Sequence, residues 1–214
     1  MAYSYWWAPG PQPLYNQYSY GGCQIGCGPV AWTMLFCWAD RQAGSGNAYW
    51  APRWGLYRQA GGYGMDVIAP INQDAGVNNV IQEIHGHVGT FCIGDSGATW
   101  PWEMPNAWLY LSGRTGTSLS ASWNSLGIHE DGLRNRARDS IKFRATPAVI
   151  GTGWLSHYPM AFGYAYQERT VRRCFIWCWD DIVYDRWFYV NQGWGGVGNE
   201  WVSASTWFVG EIFP

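Results

Sequence analysis

Apolar residues recur three or four positions apart in the first half of the chain. This spacing predicts amphipathic or buried helices over residues 28–39, 78–85 and 105–111. Glycines and a proline interrupt every period over residues 44–64, which predicts a loop with short turns. Residues 1–22 carry no charge and are rich in Tyr, Trp, Pro and Gly. We therefore expect them to form an extended arm that lies on the body of the protein.

The second half of the chain has a different pattern. A charged segment predicts a helix over residues 130–142, with its arginines and lysine on a solvated face. Runs of β-branched and aromatic residues then predict five strands, separated by turns at 180–181 and 193–198; the strands cover residues 148–150, 158–166, 171–179, 187–190 and 200–202.

Helices followed by antiparallel strands are typical of an α+β fold. The length suits one domain over residues 1–214. We expect a helical lobe over about 23–112 and a lobe formed by a β-sheet or barrel over about 113–214.

Cys27 lies between two glycines at the start of the first predicted helix. Pro29 suits the first helical turn, and the unpaired N–H groups and the dipole at a helix N-terminus favour a thiolate over a thiol. Gly26 and Gly28 lack a Cβ, so a substrate carbonyl group can approach the backbone closely. The pattern therefore predicts a nucleophile whose pKa is lowered. A plain buried cysteine at a helix start is the structural alternative.

A thiol nucleophile needs a base that holds its proton, and histidine does this near neutral pH. His85 and His87 lie beside a predicted helix and His129 precedes another, which is typical of surface or capping residues. His157 instead follows a glycine-containing loop at the start of a predicted strand in the second half. We therefore predict that His157 is the general acid and base.

A third group is needed to orient the imidazole ring, and the side-chain oxygen of Asn or Asp does this. Asn191 ends a predicted strand, and Trp194 follows closely enough to shield a hydrogen bond between Asn191 and His157 from water. A turn asparagine is the structural alternative. The glycine and tryptophan after Asn191 favour the functional interpretation.

Three motifs in this order resemble those of the papain-like cysteine peptidases, and they are nearer to the bacterial streptopain-like and bacteriocin-processing branches than to plant papain. The motifs are residues 15–17 with 26–29, residues 156–158 with 162–164, and residues 191–195; residues 146–150 also resemble the strand before the histidine in those branches.

The resemblance covers nearly the whole chain and implies a two-lobed papain-like fold with the active site in the cleft between the lobes. It also implies roles for four residues: Cys27 as nucleophile, His157 as general acid and base, Asn191 as orienting residue, and Gln17 as a side-chain donor to the oxyanion beside the backbone N–H of Cys27.

Two features depart from the plant-type pattern: Gln17 lies ten residues before Cys27, and Gly28 follows Cys27. Gln24 is therefore a rival oxyanion donor. We favour Gln17 because three residues hardly let a chain turn and aim a side chain back at Cys27. Cys23 is a rival nucleophile, but it precedes no predicted helix, and we expect it to be structural.

The predicted reaction is hydrolysis of peptide bonds by a cysteine endopeptidase through a thioester intermediate, without a cofactor. The expected partner is a protein or peptide substrate, and a pro-segment or an inhibitor is also compatible with this class. One alternative is a Cys–His acyltransferase or amidase, either transglutaminase-like or acting on peptidoglycan stems. Another is a non-catalytic binding module whose exposed aromatic residues stack on sugar rings.

Composition limits the other partners. A formal net charge of −2 provides no field for nucleic acid or an anionic membrane, and no apolar run is long enough to span a bilayer. Seventeen tryptophans are too many for the core alone, so some are expected to line a groove. Six cysteines suit one or two disulfides in a secreted protein, which we favour, or a set of reduced thiols. A zinc site formed by four of them is less favoured because of their spacing; the four are Cys23, Cys27, Cys174 and Cys178.

Overall fold

A computed structural model describes residues 3–54 and 68–214 of the chain. Residues 55–64 of the predicted loop lie outside the described residues. The helices are α1 (Cys27–Gly44), α2 (Ala75–His87), α3 (Trp108–Leu111), which follows a 3₁₀ turn (Met104–Ala107), and α4 (Asp131–Arg144). The predicted helices are thus present, and α1 extends five residues beyond its predicted end, Ala39.

The strands are β1 (Tyr3–Trp7), β2 (Ser19–Tyr20), β3 (Cys23–Gln24), β4 (Phe91–Ile93), β5 (Ser96–Ala98), β6 (Ser118–Trp123), β7 (Ala148–Ile150), β8 (Met160–Cys174), β9 (Cys178–Asn191), β10 (Glu200–Ser203) and β11 (Phe208–Phe213). The seven-stranded sheet is antiparallel, with the order β10-β9-β8-β7-β11-β6 and with β1 paired to β8. The fold is therefore α+β. The sheet is open across the described residues, so the barrel alternative is not observed.

Two hydrophobic cores lie on opposite faces of this sheet. The first core joins α1 and α2 to the sheet, and the Trp32 ring lies against the backbone of Gly210, where a Cβ atom would come within 2.4 Å of the ring. The second core lies under α4, whose Leu133, Ala137 and Ile141 side chains pack on the sheet. The buried helix that carries Cys27 therefore packs directly on the sheet.

Three strand predictions need correction. The predicted arm over residues 1–22 contains β1, which is part of the main sheet. The predicted strand over 171–179 instead contains the end of β8, a turn and the start of β9. The predicted turn at Asp180 and Asp181 lies within β9, where these residues pair with Arg172 and Val171. The Cys174–Cys178 disulfide closes the turn between the two strands.

The sequence predicts that the charged face of α4 is solvated, and this prediction is wrong for two of its arginines. Arg136 and Arg144 both form ion pairs with Glu211, a residue of β11 whose side chain is 2% exposed. Arg136 also donates hydrogen bonds to Ser122 Oγ (2.5 Å) and Ser120 Oγ (2.9 Å). These contacts attach α4 to the sheet, because a buried carboxylate needs charged or hydrogen-bonding partners.

Candidate active site

Cys27 is the first residue of α1, and glycines shape the backbone on both sides of it. Gly26 has φ +95°, a conformation that a side chain would strain. At Gly28, a Cβ atom would lie 2.9 Å from the Met104 sulfur and 3.0 Å from Thr99 Oγ1. These two positions therefore require glycine for backbone conformation and for close packing, respectively.

The β4–β5 hairpin packs against the segment that leads into Cys27. A disulfide joins Cys23 to Cys92, and a Cβ atom at Gly97 would lie 2.2 Å from the Gln24 carbonyl oxygen. Cys23 is thus a disulfide partner, as expected for a structural residue. Because Cys174 and Cys178 form the second disulfide, the four-thiolate zinc alternative is wrong. The two free cysteines of the chain are Cys27, which is partly exposed, and Cys37, which is buried.

The loop between β7 and β8 carries His157 and reaches Cys27 through Tyr158. The backbone N–H groups of Tyr158, Cys27 and Gly28 lie close enough to the Cys27 sulfur to favour its thiolate form. The Tyr158 hydroxyl donates to the Thr99 carbonyl oxygen at 3.2 Å. His157 itself is held by a backbone bridge to Thr152, whose N–H donates to the His157 carbonyl oxygen at 2.9 Å. Cys27 and Tyr158, which are distant in sequence, thereby line the same site, and Tyr158 is the residue after His157.

The His157 ring is oriented by a backbone carbonyl group. Its Nε2 atom lies 3.1 Å from the carbonyl oxygen of Gln192. Because a carbonyl oxygen only accepts, Nε2 carries the proton, and Nδ1 carries the lone pair that can accept a proton. The Trp194 ring stacks on the imidazole, with ring centroids 5.4 Å apart. This arrangement fixes the tautomer that a general base requires.

The predicted role of Asn191 needs correction. Asn191 Nδ2 donates to the Pro13 carbonyl oxygen at 2.8 Å, and Oδ1 accepts from the Gly193 N–H at 3.1 Å. The amide thus bonds to the backbone of the N-terminal segment and to the backbone N–H of the residue after Gln192, and it does not orient the imidazole directly. Asn191 is fully buried and is a positioning residue for the loop that carries the Gln192 carbonyl.

The electrostatics of the site also differ from the prediction. Burial raises the pKa of the Cys27 thiol, and the N–H groups of Tyr158, Cys27 and Gly28 counteract that effect only in part. Burial likewise lowers the pKa of His157, against the opposing effects of the Gln192 backbone and side chain. Desolvation disfavours the charged form of each group. Both shifts favour a neutral Cys27 thiol and a neutral His157 imidazole over the predicted thiolate.

The two candidate oxyanion donors lie in different surroundings. Asn16 forms a backbone bridge with Trp194, whose ring covers His157. Gln17 is the next residue in the chain after this bridge. Within the described residues, no hydrogen bond holds the Gln17 side chain. Gln24 is exposed on β3, between the buried residues Cys23 and Ile25. Side chains alternate along a strand, so Gln24 points away from the interior, which argues against Gln24 as the donor; Gln17 stays a prediction.

A cleft of about 350 Å³ opens beside Cys27. Its walls include Phe91 and Trp100, whose ring centroids are 5.5 Å apart, and Leu155 and Tyr158 from the loop between β7 and β8. Some of the many aromatic residues therefore line a groove, as their number predicts. The cleft offers an apolar surface for a substrate side chain.

The other histidines have structural surroundings. His129 lies between the Asp131 carboxylate, 2.9 Å from Nε2, and the Thr206 N–H, which donates to Nδ1 at 3.1 Å. His85 and His87 lie in the last turn of α2. The sequence analysis assigned no role to Gln192 or to the cleft residues Phe91, Trp100 and Tyr158, although Gln192 and Tyr158 lie within its motifs. The larger effect of Gln192 on His157 comes from its backbone carbonyl, which has no residue-type signal, whereas Tyr158 stands directly after the predicted base.

No group of three or more potential metal-ligating side chains occurs among the described residues. None of the described helices is long and apolar enough to cross a membrane. Comparison with known proteins adds no family: no protein-family model matches the chain, and a search of curated proteins found no match.

Proposed function

We propose that this chain is a cysteine peptidase with a papain-like arrangement of lobes and that Cys27 and His157 are its catalytic residues. The observation that carries the proposal is the contact between the Cys27 sulfur and the backbone of Tyr158, the residue after His157. This contact joins the N-terminus of α1 to the loop between β7 and β8, which carries His157. The adjoining cleft has room for a substrate side chain.

The reaction begins from the neutral pair. His157 Nδ1 accepts the thiol proton while the sulfur attacks the carbonyl carbon of the scissile peptide bond. The Gln192 carbonyl group stabilises the imidazolium that forms, because it accepts a hydrogen bond from Nε2–H. The oxyanion is held by the backbone N–H of Cys27 and by the Gln17 amide.

The tetrahedral intermediate then collapses. The C–N bond breaks, and His157 delivers its proton to the departing amine, which leaves a thioester on Cys27. Water attacks the thioester as His157 accepts one of its protons. The second collapse releases a carboxylic acid and restores the thiol. The apolar walls of the cleft favour a bulky apolar or aromatic residue next to the cleaved bond.

Product analysis tests this reaction. With a peptide that carries an aromatic residue before the scissile bond, we expect mass spectrometry to find two hydrolytic fragments, and pretreatment with a thiol reagent to abolish them. A large excess of an amine such as glycinamide should leave the free acid as the main product. Predominant amide formation would instead identify an acyltransferase, and an absence of cleavage over a broad peptide library would contradict the proposal.

The oxyanion donor can be tested by a pair of glutamine variants. Gln17→Ala removes the amide donor, so we expect kcat to fall by roughly 10²- to 10³-fold, the usual effect of losing one such donor. Gln17→Glu keeps the size of the side chain but replaces the amide with a carboxylate, and we expect a similar loss. Gln24→Ala is the control and should leave kcat unchanged in the same peptide assay. The opposite ranking would assign the donor role to Gln24.

The non-catalytic alternative has one observation in its favour. Aromatic side chains from β1, β9 and β10 contact one another on an exposed sheet face away from Cys27, above a cavity of about 320 Å³. A binding function at this face would be insensitive to thiol reagents.

Two disulfides within the chain are compatible with a secreted protein, because such bonds persist in oxidising compartments. We propose export on this basis.

A further inference from the structure

The β8–β9 hairpin extends beyond the rest of the sheet. In the described part of the chain, β1 pairs with β8 only as far as Gln167, and β10 pairs with β9 only as far as Trp187. From the pair Glu168–Tyr184 to the pair Cys174–Cys178, the hairpin continues as a two-stranded ribbon. At about 3.4 Å per residue, this ribbon is about 20 Å long.

The tip of this ribbon exposes three consecutive bulky apolar residues. Phe175 is 89% exposed, Ile176 is 79% exposed and Trp177 is 72% exposed. The Cys174–Cys178 disulfide closes the turn immediately behind them. The tip therefore cannot fold back to bury these side chains, although exposing so much apolar surface to water is unfavourable.

The charges of the ribbon lie behind the tip, and oppositely charged residues face one another. Arg172 lies 3.6 Å from Asp180, and Arg173 lies 2.9 Å from Asp181. Farther from the tip, Arg169 lies 2.6 Å from Asp185. Residues 168–185 contain three arginines and four carboxylates, so the ribbon has almost no net charge.

From this arrangement, we propose that the tip, residues 175–177, inserts into the surface of a phospholipid bilayer. The tip is convex, and a bilayer accepts a convex apolar projection without a matching pocket. Apolar side chains at an interface typically penetrate about 5–10 Å, a depth at which the arginines and aspartates behind the tip would meet the headgroups. Tryptophan is also favoured at the boundary between headgroups and acyl chains.

The paired charges indicate which lipids the tip fits. A zwitterionic headgroup presents both a phosphate and an ammonium group, which complement the arginines and the aspartates, respectively. A nearly neutral ribbon gains little from anionic lipids. We therefore expect binding that depends on the apolar tip and not on the charge of the membrane. Such binding needs no membrane-spanning helix, so it agrees with the described helices, none of which could cross a membrane. It replaces the expectation that the protein has no membrane partner.

Flotation of the full-length protein with phosphatidylcholine vesicles tests the proposal. We expect the protein to float with the vesicles, equally well when phosphatidylglycerol is added and at high NaCl concentration. Replacing all three tip residues, by Phe175→Ser, Ile176→Ser and Trp177→Ser, should lower the vesicle-bound to free ratio at least about tenfold. Phe175→Ser alone and Trp177→Ser alone should cause intermediate losses, and they serve as tests if the triple variant does not fold.

Trp154→Ser is the matched control, because Trp154 is 74% exposed but lies away from the ribbon. This variant should float like the unaltered protein. The proposal is overturned if the unaltered protein stays in the aqueous fraction or if the triple variant floats equally well. A third result would also overturn it: no protein floats, and light scattering shows that the unaltered protein is a dimer whereas the triple variant is a monomer. The tip would then bind a second copy of the chain.

Discussion

We expect Cys27→Ala to lower kcat for peptide hydrolysis by at least about 10⁴-fold, because the variant lacks the atom that forms the thioester. His157 would remain in place, since its ring is held by Gln192 and Trp194 and not by the thiol. The measurement is the initial rate of fragment formation from the same peptide by both proteins. Circular dichroism should show an unchanged fold.

Cys37→Ala provides the control within the same helix. Cys37 is the other free thiol of the chain, but it is buried in the first core, where burial raises its pKa strongly. Its removal should lower the melting temperature through the small cavity that it leaves, with kcat unchanged. Full activity in Cys27→Ala would refute the nucleophile assignment, and loss of activity in a folded Cys37→Ala variant would transfer that role to Cys37.

Local patterns predicted the helices because their signals lie within the helices themselves. The spacing of Val80, Ile81 and Ile84 identifies the buried face of α2, and all three side chains are buried. The β8–β9 turn has no comparable signal, because residues 171–179 contain neither glycine nor proline. The disulfide and the cross-strand ion pairs define this turn, and neither is visible before the pairing of the strands is known.

The same limit explains the incorrect prediction for α4. A charged run on a helix is usually solvated, but here a carboxylate from β11, Glu211, binds Arg136 and Arg144. No strand was predicted over β11. A long-range partner on an unpredicted element cannot be inferred from the charge run alone.

At the candidate site, residue type identified the right loop but the wrong atom. The pattern around Asn191 indicated a partner for His157, and the loop after β9 does provide one. The partner is the Gln192 carbonyl oxygen, while the Asn191 amide holds that loop in position. Every residue has a backbone carbonyl, so sequence cannot distinguish one that orients an imidazole from any other.

Sequence reasoning also overestimated the electrostatic effect of the helix N-terminus. A helix dipole and three N–H groups favour the thiolate, but the cost of burying the charge depends on how densely protein surrounds the sulfur. That density arises from the β4–β5 hairpin and the Tyr158 region, which are distant from Cys27 in sequence. Their contribution reverses the predicted direction of the pKa shift.

Alkylation of Cys27 as a function of pH tests the protonation state of the pair. The raised pKa of Cys27 means that its thiolate forms only above the pH range of an ordinary cysteine. The lowered pKa of His157 means that the ring is neutral near pH 7, so no imidazolium charge is present to stabilise the thiolate. We expect the iodoacetamide rate at Cys27 to be very low at a pH of about 5.5 and to increase about tenfold per pH unit until the thiol ionises. Peptide mass mapping under non-reducing conditions identifies the site, and Cys37 is the buried reference. His157→Ala should leave this profile nearly unchanged.

The same shifts predict how catalysis depends on pH. His157 must be neutral to accept the thiol proton, and its lowered pKa keeps it neutral to a lower pH than an ordinary histidine. We therefore expect kcat/KM to stay constant through neutral pH and to fall only below the usual histidine pKa of about 6.5. Rapid alkylation of Cys27 at mildly acidic pH, slowed by His157→Ala, would instead mean that the pair is a thiolate and an imidazolium at rest. In that case, the attraction between the two charges would exceed the cost of burying them, and His157 would hold the proton before substrate arrives.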